Sequence, residues 1–81
     1  MERYKINRII RNLLDLSGRQ LAERVEVTKT TISNYEQGMS VSRPVERVIE
    51  IELDQAIEEC TDEMIKDVCY KLKHERSKNE S

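Results

Sequence analysis

Apolar residues recur along the first part of the chain with helical rather than strand spacing. Ile6, Ile9, Ile10, Leu13 and Leu14 fall at i, i+3, i+4, i+7 and i+8, one apolar face of a helix within residues 3–16. Explicit start signals come next. Ser17-Gly18-Arg19-Gln20 has the spacing of a capping box, with Leu16 and Leu21 flanking it at the staple positions. A short second helix is therefore predicted from about Gly18 to Val25. The same logic then repeats: Thr28 is an N-cap, Val27 and Ile32 are its staple pair, and Gly38 suits the residue just past a helix end. That places a third helix over Lys29 to Gln37. Two short helices joined by Val25-Glu26-Val27 make a helix-turn-helix at about 18–37.

Further on, Pro44 suits the first position of a fourth helix, whose stripe is Val45, Val48, Ile49, Leu53, Ala56, Ile57 and Cys60. The stripe formed by Ile65, Val68, Cys69 and Leu72 does not continue that face, so a break is expected near Thr61. Thr61 can cap, and Asp62 and Glu63 suit a first helical turn electrostatically. The prediction is an all-α chain of five helices. Residues 1–60 form the helix-turn-helix domain, 61–76 a C-terminal helix for packing or dimerisation, and 77–81 a flexible tail fraying from Arg76.

Size narrows the function. Eighty-one residues hold one modest core, and 37% apolar residues with neither Trp nor Phe is a thin supply for it. A deep-pocketed enzyme is not expected. The single His74 has no paired nucleophile, and no glycine-rich phosphate loop or metal-ligand cluster is visible, so neither catalytic residues nor cofactors are assigned. No signal peptide or membrane-spanning run is present, which points to a cytoplasmic protein without a membrane partner. On one continuous helix Cys60 and Cys69, nine apart, lie on opposite faces and read as reduced packing thiols.

The charge is uneven. Net charge is −2, yet residues 1–47 carry nine Lys/Arg against six Asp/Glu, while residues 48–81 carry five against ten. An anionic ligand belongs with the first half. In the third helix Ile32 and Tyr35 share the face to be covered, leaving Lys29, Thr30, Ser33, Asn34 and Gln37 outside. None of these is acidic. Hydrogen-bonding side chains without a carboxylate are what a helix reading base edges needs.

The run from Leu16 to Gly38 resembles the lambda-repressor-like family of phage repressors, Cro proteins and xenobiotic-response-element regulators. Leu21-Ala22, Val27-Thr28, Thr31-Ile32-Ser33, Tyr35-Glu36 and Gly38 carry the likeness, which covers about residues 5–58. The resemblance implies a compact four- or five-helix domain that binds double-stranded DNA, usually as a homodimer on a palindromic operator. By position it places Lys29, Thr30, Ser33 and Asn34 at bases. It places Arg11, Ser17, Gly18, Arg19, Thr28, Gln37 and Arg43 at phosphates, with Arg11 oriented by Glu36.

Three departures stand out. Gly18 replaces a frequent phosphate-contacting Gln, Glu26 replaces a frequent turn Gly, and Met39-Ser40-Val41-Ser42 lacks the usual lysines. Binding weaker than in a basic relative is expected. Ile65, Val68, Cys69 and Leu72 either cover the core or pair with a second copy. The expectation is a small dimeric phage-type repressor. The alternative is a protein-interaction module of the antirepressor or antitoxin-like kind, docking on a regulatory protein partner through the acidic C-terminal helices.

Overall fold

The computed structural model describes residues 1–78, and among them the secondary structure is entirely helical: α1 Arg3–Leu13, α2 Gly18–Val25, α3 Lys29–Glu36, α4 Arg43–Glu59 and α5 Glu63–Lys78. The last three residues, 79–81, which belong to the tail expected from the sequence, lie outside the described residues. Ser77 and Lys78, assigned to the same tail, instead continue α5. No helix among the described residues is long and apolar enough to cross a membrane.

Three of the helices end in the same way. After α1, α2 and α3 the chain passes through a left-handed residue, Asp15 (φ 58°), Glu26 (φ 63°) and Gly38 (φ 85°). The next N–H then turns back five residues: Leu16 to the Arg11 carbonyl at 3.1 Å, Val27 to Ala22 at 3.0 Å, and Met39 to Asn34 at 3.0 Å. These closures satisfy carbonyls that a helix end leaves unpaired, and they reverse the chain within a few residues. Only the third uses glycine. There a Cβ would stand 2.8 Å from Cζ and Oη of Tyr4, so Gly38 is required by the close approach as well as by its φ.

The core is drawn from every helix. Ile6 and Ile10 from α1, Leu21 from α2, Ile32 from α3, Ile49, Leu53 and Ile57 from α4, and Cys69 from α5 are all at most 1% exposed. The sequence places Ile9 and Val48 on the inward stripes, but they are 37% and 39% exposed. On α1 the face between Ile6 and Ile10 carries Asn7 inward, and on α4 Ile49 and Leu53 define the buried line, which leaves Val48 about 100° off it.

Two further details differ at helix starts. Pro44 stands one residue inside α4, behind Arg43, where its missing N–H is still not needed. The cap of α5 is Asp62 rather than Thr61: its Oδ1 accepts from the amides of Met64 at 3.0 Å and Ile65 at 3.1 Å. A carboxylate directly before the first helical residue meets two amides and the positive helix end together. The turn between α4 and α5 also puts the cysteines on different helices. Both are free thiols; Cys69 is buried, and Cys60 at the end of α4 donates to the Asp62 carbonyl.

Candidate nucleic-acid interface

α2 and α3 meet through the left-handed turn at Glu26, and their starts are fixed by side chains. The amide of Gln20 donates to Ser17 Oγ at 3.0 Å while the Ser17 amide donates to Gln20 Oε1 at 2.9 Å, a complete capping box. Thr28 Oγ1 accepts from the Thr31 amide at 3.2 Å. With both caps formed, the remaining amides of the first turns face outward at the positive helix ends, where an anion is stabilised. A Cβ on Gly18 would meet nothing within 4 Å, so the start of α2 is open to approach.

α3 packs against α1 and α2 through Ile32 and Tyr35, which are 1% and 3% exposed. Lys29, Thr30, Ser33 and Gln37 face solvent and Asn34 is half-buried. Gln37 Nε2 donates to Ser33 Oγ at 2.9 Å, which holds two of these groups as a unit. Arg19 and Arg43 are also exposed, and neither they nor Lys29 has an acidic partner among the described residues. Arg24 differs. Its guanidinium pairs with Glu52 at 3.4 Å and Glu59 at 3.2 Å, so α4 absorbs that charge.

Arg11 is deeply placed. Nε and Nη2 donate to the Glu36 carboxylate at 2.6 and 2.9 Å, and Nη1 donates to the Leu16 carbonyl at 2.6 Å. The pair is only 13% and 11% exposed, and it ties α1, the α1–α2 turn and the end of α3 together. A bidentate arginine of this kind fixes relative orientation as well as adding energy. Of the C-terminal stripe, Cys69 is buried, Ile65 and Leu72 pack half-buried against the core, and Val68 is 43% exposed.

Behind α3 lies a polar cluster that hydrophobic periodicity does not reveal. Asn7 is 2% exposed; its Nδ2 donates to Tyr35 Oη at 2.7 Å and to Glu50 Oε2 at 3.0 Å. Its Oδ1 accepts from Arg76 Nη1 at 2.9 Å, and Arg76 Nη2 forks onto Asp54 at 2.8 and 3.0 Å. Arg3 Nε reaches Glu50 at 3.0 Å. Among the described residues no buried side-chain polar atom lacks a partner. Burial pushes the Tyr35 phenol up to about 12, with the Glu50 charge adding to the rise and the Asn7 hydrogen bond opposing it. Burial also pushes Glu50 upward, but hydrogen bonds from Arg3 and Asn7 and the charge of Arg76 outweigh it, holding the carboxyl below its ordinary value. A signal for this cluster does exist in the sequence: Asn7 interrupts the apolar face of α1, and Arg76 falls one step beyond the stripe of Ile65, Cys69 and Leu72.

The helix-turn-helix family model matches residues 8–52, more than half of the chain. Neither the curated proteins nor the solved structures yield a match.

Proposed function

We propose, from the premise that this chain belongs to the lambda-repressor-like helix-turn-helix family of DNA-binding regulators, that it is a sequence-specific repressor acting as a homodimer. The observation that carries the reading is the outward face of α3. Lys29, Thr30, Ser33 and Asn34 stand there without a carboxylate, on a helix whose opposite side is locked by Ile32, Tyr35 and the Arg11–Glu36 pair.

In the proposed complex α3 enters the major groove. Lys29 favours guanine acceptors, Asn34 adenine, and the Thr30 methyl a thymine methyl. The starts of α2 and α3, at Ser17, Gly18 and Thr28, meet phosphate through outward amides. Arg19, Gln37 and Arg43 meet it through side chains, and Arg11 holds the elements that present them. Two copies reading a palindrome place their α3 helices about 34 Å apart along one face of the duplex. The exposed apolar residues Val48 and Ile51 on α4, and Met64 and Val68 on α5, are the positions a second copy would cover.

Selection from a random duplex library tests the reading, with the Lys29→Ala, Asn34→Ala double variant beside the wild type. A palindromic motif enriched by the wild type and lost in the variant is expected. No enrichment at low salt, where phosphate contacts are strongest, refutes it. Asn34→Ala alone is expected to weaken the selected site by roughly 1–3 kcal/mol and to relax its sequence preference, whereas Arg19→Ala weakens all sequences alike. Equal losses by Asn34→Ala on selected and scrambled duplexes count against base reading.

A second reading, a protein-interaction module, draws on the corner between α4 and α5. There Met64 is 82% exposed, next to the exposed carboxylates of Asp62, Glu63 and Asp67. A protein partner retained by the double variant would favour it.

A further inference from the structure

α5 lies beyond the residues matched by the family model, yet it reaches the reading helix through two buried side chains. Arg76 is 5% exposed, and its planar fork spans Asp54 of α4 and Asn7 of α1. Asn7 carries the connection onward, its amide held at 2.7 Å from Tyr35 Oη. Tyr35 is the residue directly after Asn34, the proposed adenine reader, and directly before Glu36, the partner of Arg11. Four helices thus converge on one cluster, and in it Arg76 supplies the donor facing the Asn7 carbonyl.

The geometry is directional. An Asn side chain has one acceptor end and one donor end. Arg76 on Oδ1 and the Glu50 carboxylate on Nδ2 together aim the amide at Tyr35; without the Arg76 donor Oδ1 is left to water, the side chain is held from one end only, and the phenol's partner loosens. Buried polar networks specify one arrangement when every member is satisfied, and they loosen when one member is removed. An apolar side chain in place of Arg76 would exert no such hold on Asn7.

We propose that Arg76 is a positioning residue for the DNA-reading helix: from α5 it sets the pose of α3 through Asn7 and Tyr35, so that its contact to Asn7 tunes affinity for DNA. The proposal rests on the DNA-binding reading for its consequence and on the cluster alone for its mechanism. Accordingly, loss of the Arg76 contact to Asn7 weakens base reading without touching the interface.

The experiment compares Arg76→Met with Leu72→Ala in the full chain, since Leu72 packs α5 on the core without meeting Asn7 among the hydrogen bonds of the cluster. Both variants are assayed at temperatures where they are fully folded. Without DNA, amide hydrogen exchange is expected to rise at Tyr35 to Gln37 in Arg76→Met and to stay near wild type there in Leu72→Ala. On a duplex the wild type binds, Arg76→Met is expected to lose affinity on the order of tenfold and Leu72→Ala less than about twofold. In a Tyr35→Phe background the Arg76→Met loss is expected to vanish, because the route is already cut.

Equal behaviour of the two variants in exchange overturns the proposal, as does an undiminished Arg76→Met loss in the Tyr35→Phe background. Where Arg76→Met does not fold, Arg76→Lys carries the same test, because an ammonium keeps the charge but cannot span Asn7 and Asp54 as a fork. A wild type that binds no duplex would sink the DNA-binding reading, while the exchange comparison still decides the role of Arg76.

Discussion

Glu26 is the most informative position at which to perturb the turn between α2 and α3. It has φ 63° and ψ 43°, a conformation that costs a residue with a Cβ roughly 1–2 kcal/mol and costs glycine almost nothing. Its side chain is exposed and makes no hydrogen bond or ion pair among the described residues, so little else changes when it is removed. Glu26→Gly therefore relieves about 1–2 kcal/mol of backbone strain. Against that stands the greater freedom of glycine in the unfolded chain, about 0.4–1 kcal/mol. The expected net gain is about 0.5–1 kcal/mol, a rise in midpoint of about 2–8 °C for a domain of this size.

Thermal and urea unfolding followed by far-UV circular dichroism measures the gain. Glu26→Ala is the decisive control, because it deletes the side chain but keeps the Cβ; it is expected to give no gain. If Glu26→Gly is no more stable than Glu26→Ala, the strain attributed to this turn does not exist. DNA affinity is expected to stay unchanged in Glu26→Gly, since the turn keeps its hydrogen bonds from Glu26 and Val27.

Three other expectations follow from the packing. Gly38→Ala is the converse substitution: it should destabilise by at least about 1–2 kcal/mol, and Tyr4→Ala should cost less in that background than in the wild type, because the added methyl collides with the Tyr4 ring; strict additivity in unfolding experiments would refute the collision. Glu36→Gln removes the charge facing Arg11 and should cost about 1.5–3 kcal/mol in urea titration, a loss under about 0.5 kcal/mol placing it with ordinary surface changes. Stability should also fall at both pH extremes. The neutral Tyr35 phenol contributes fully below pH 10.0 and its contribution is lost as pH rises through about 12, so Tyr35→Phe should blunt the alkaline loss. Glu50, held below 4.5, contributes above that pH and loses its contribution on acidification, so Glu50→Gln should blunt the acid limb; limbs unchanged in these variants would refute the assignment.

What the sequence made legible is what short-range chemistry determines. The Ser17–Gln20 box, the Thr28 cap and the bounds of α2 depend on residues within one turn of each other, and they stand as the spacing predicts. The family resemblance from Leu16 to Gly38 likewise agrees with the matched segment. Where neighbours compete, local spacing was less decisive: Thr61 and Asp62 both suit a cap, and the carboxylate adjoining Glu63 took the role. Least legible were positions whose environment is assembled from afar. Ile9 and Asn7 both lie near the inward face of α1, and hydrophobicity favours Ile9. Asn7 is nevertheless the one buried, because Tyr35, Glu50 and Arg76 arrive from three other helices to satisfy it. Arg76 reads as the start of a fraying end for the same reason, since its partners Asn7 and Asp54 are invisible along α5.

The span of that last contact has a consequence for how the protein is made. Asn7 and Arg76 are 69 positions apart, so at about 5–20 residues per second a ribosome adds Arg76 roughly 3–14 s after Asn7. Until α5 docks, the Asn7 carbonyl is without its donor from α5. Compaction that buried this carbonyl before α5 arrived would carry the cost of an unpaired acceptor. Docking of α5 then closes the polar centre and completes α3's support.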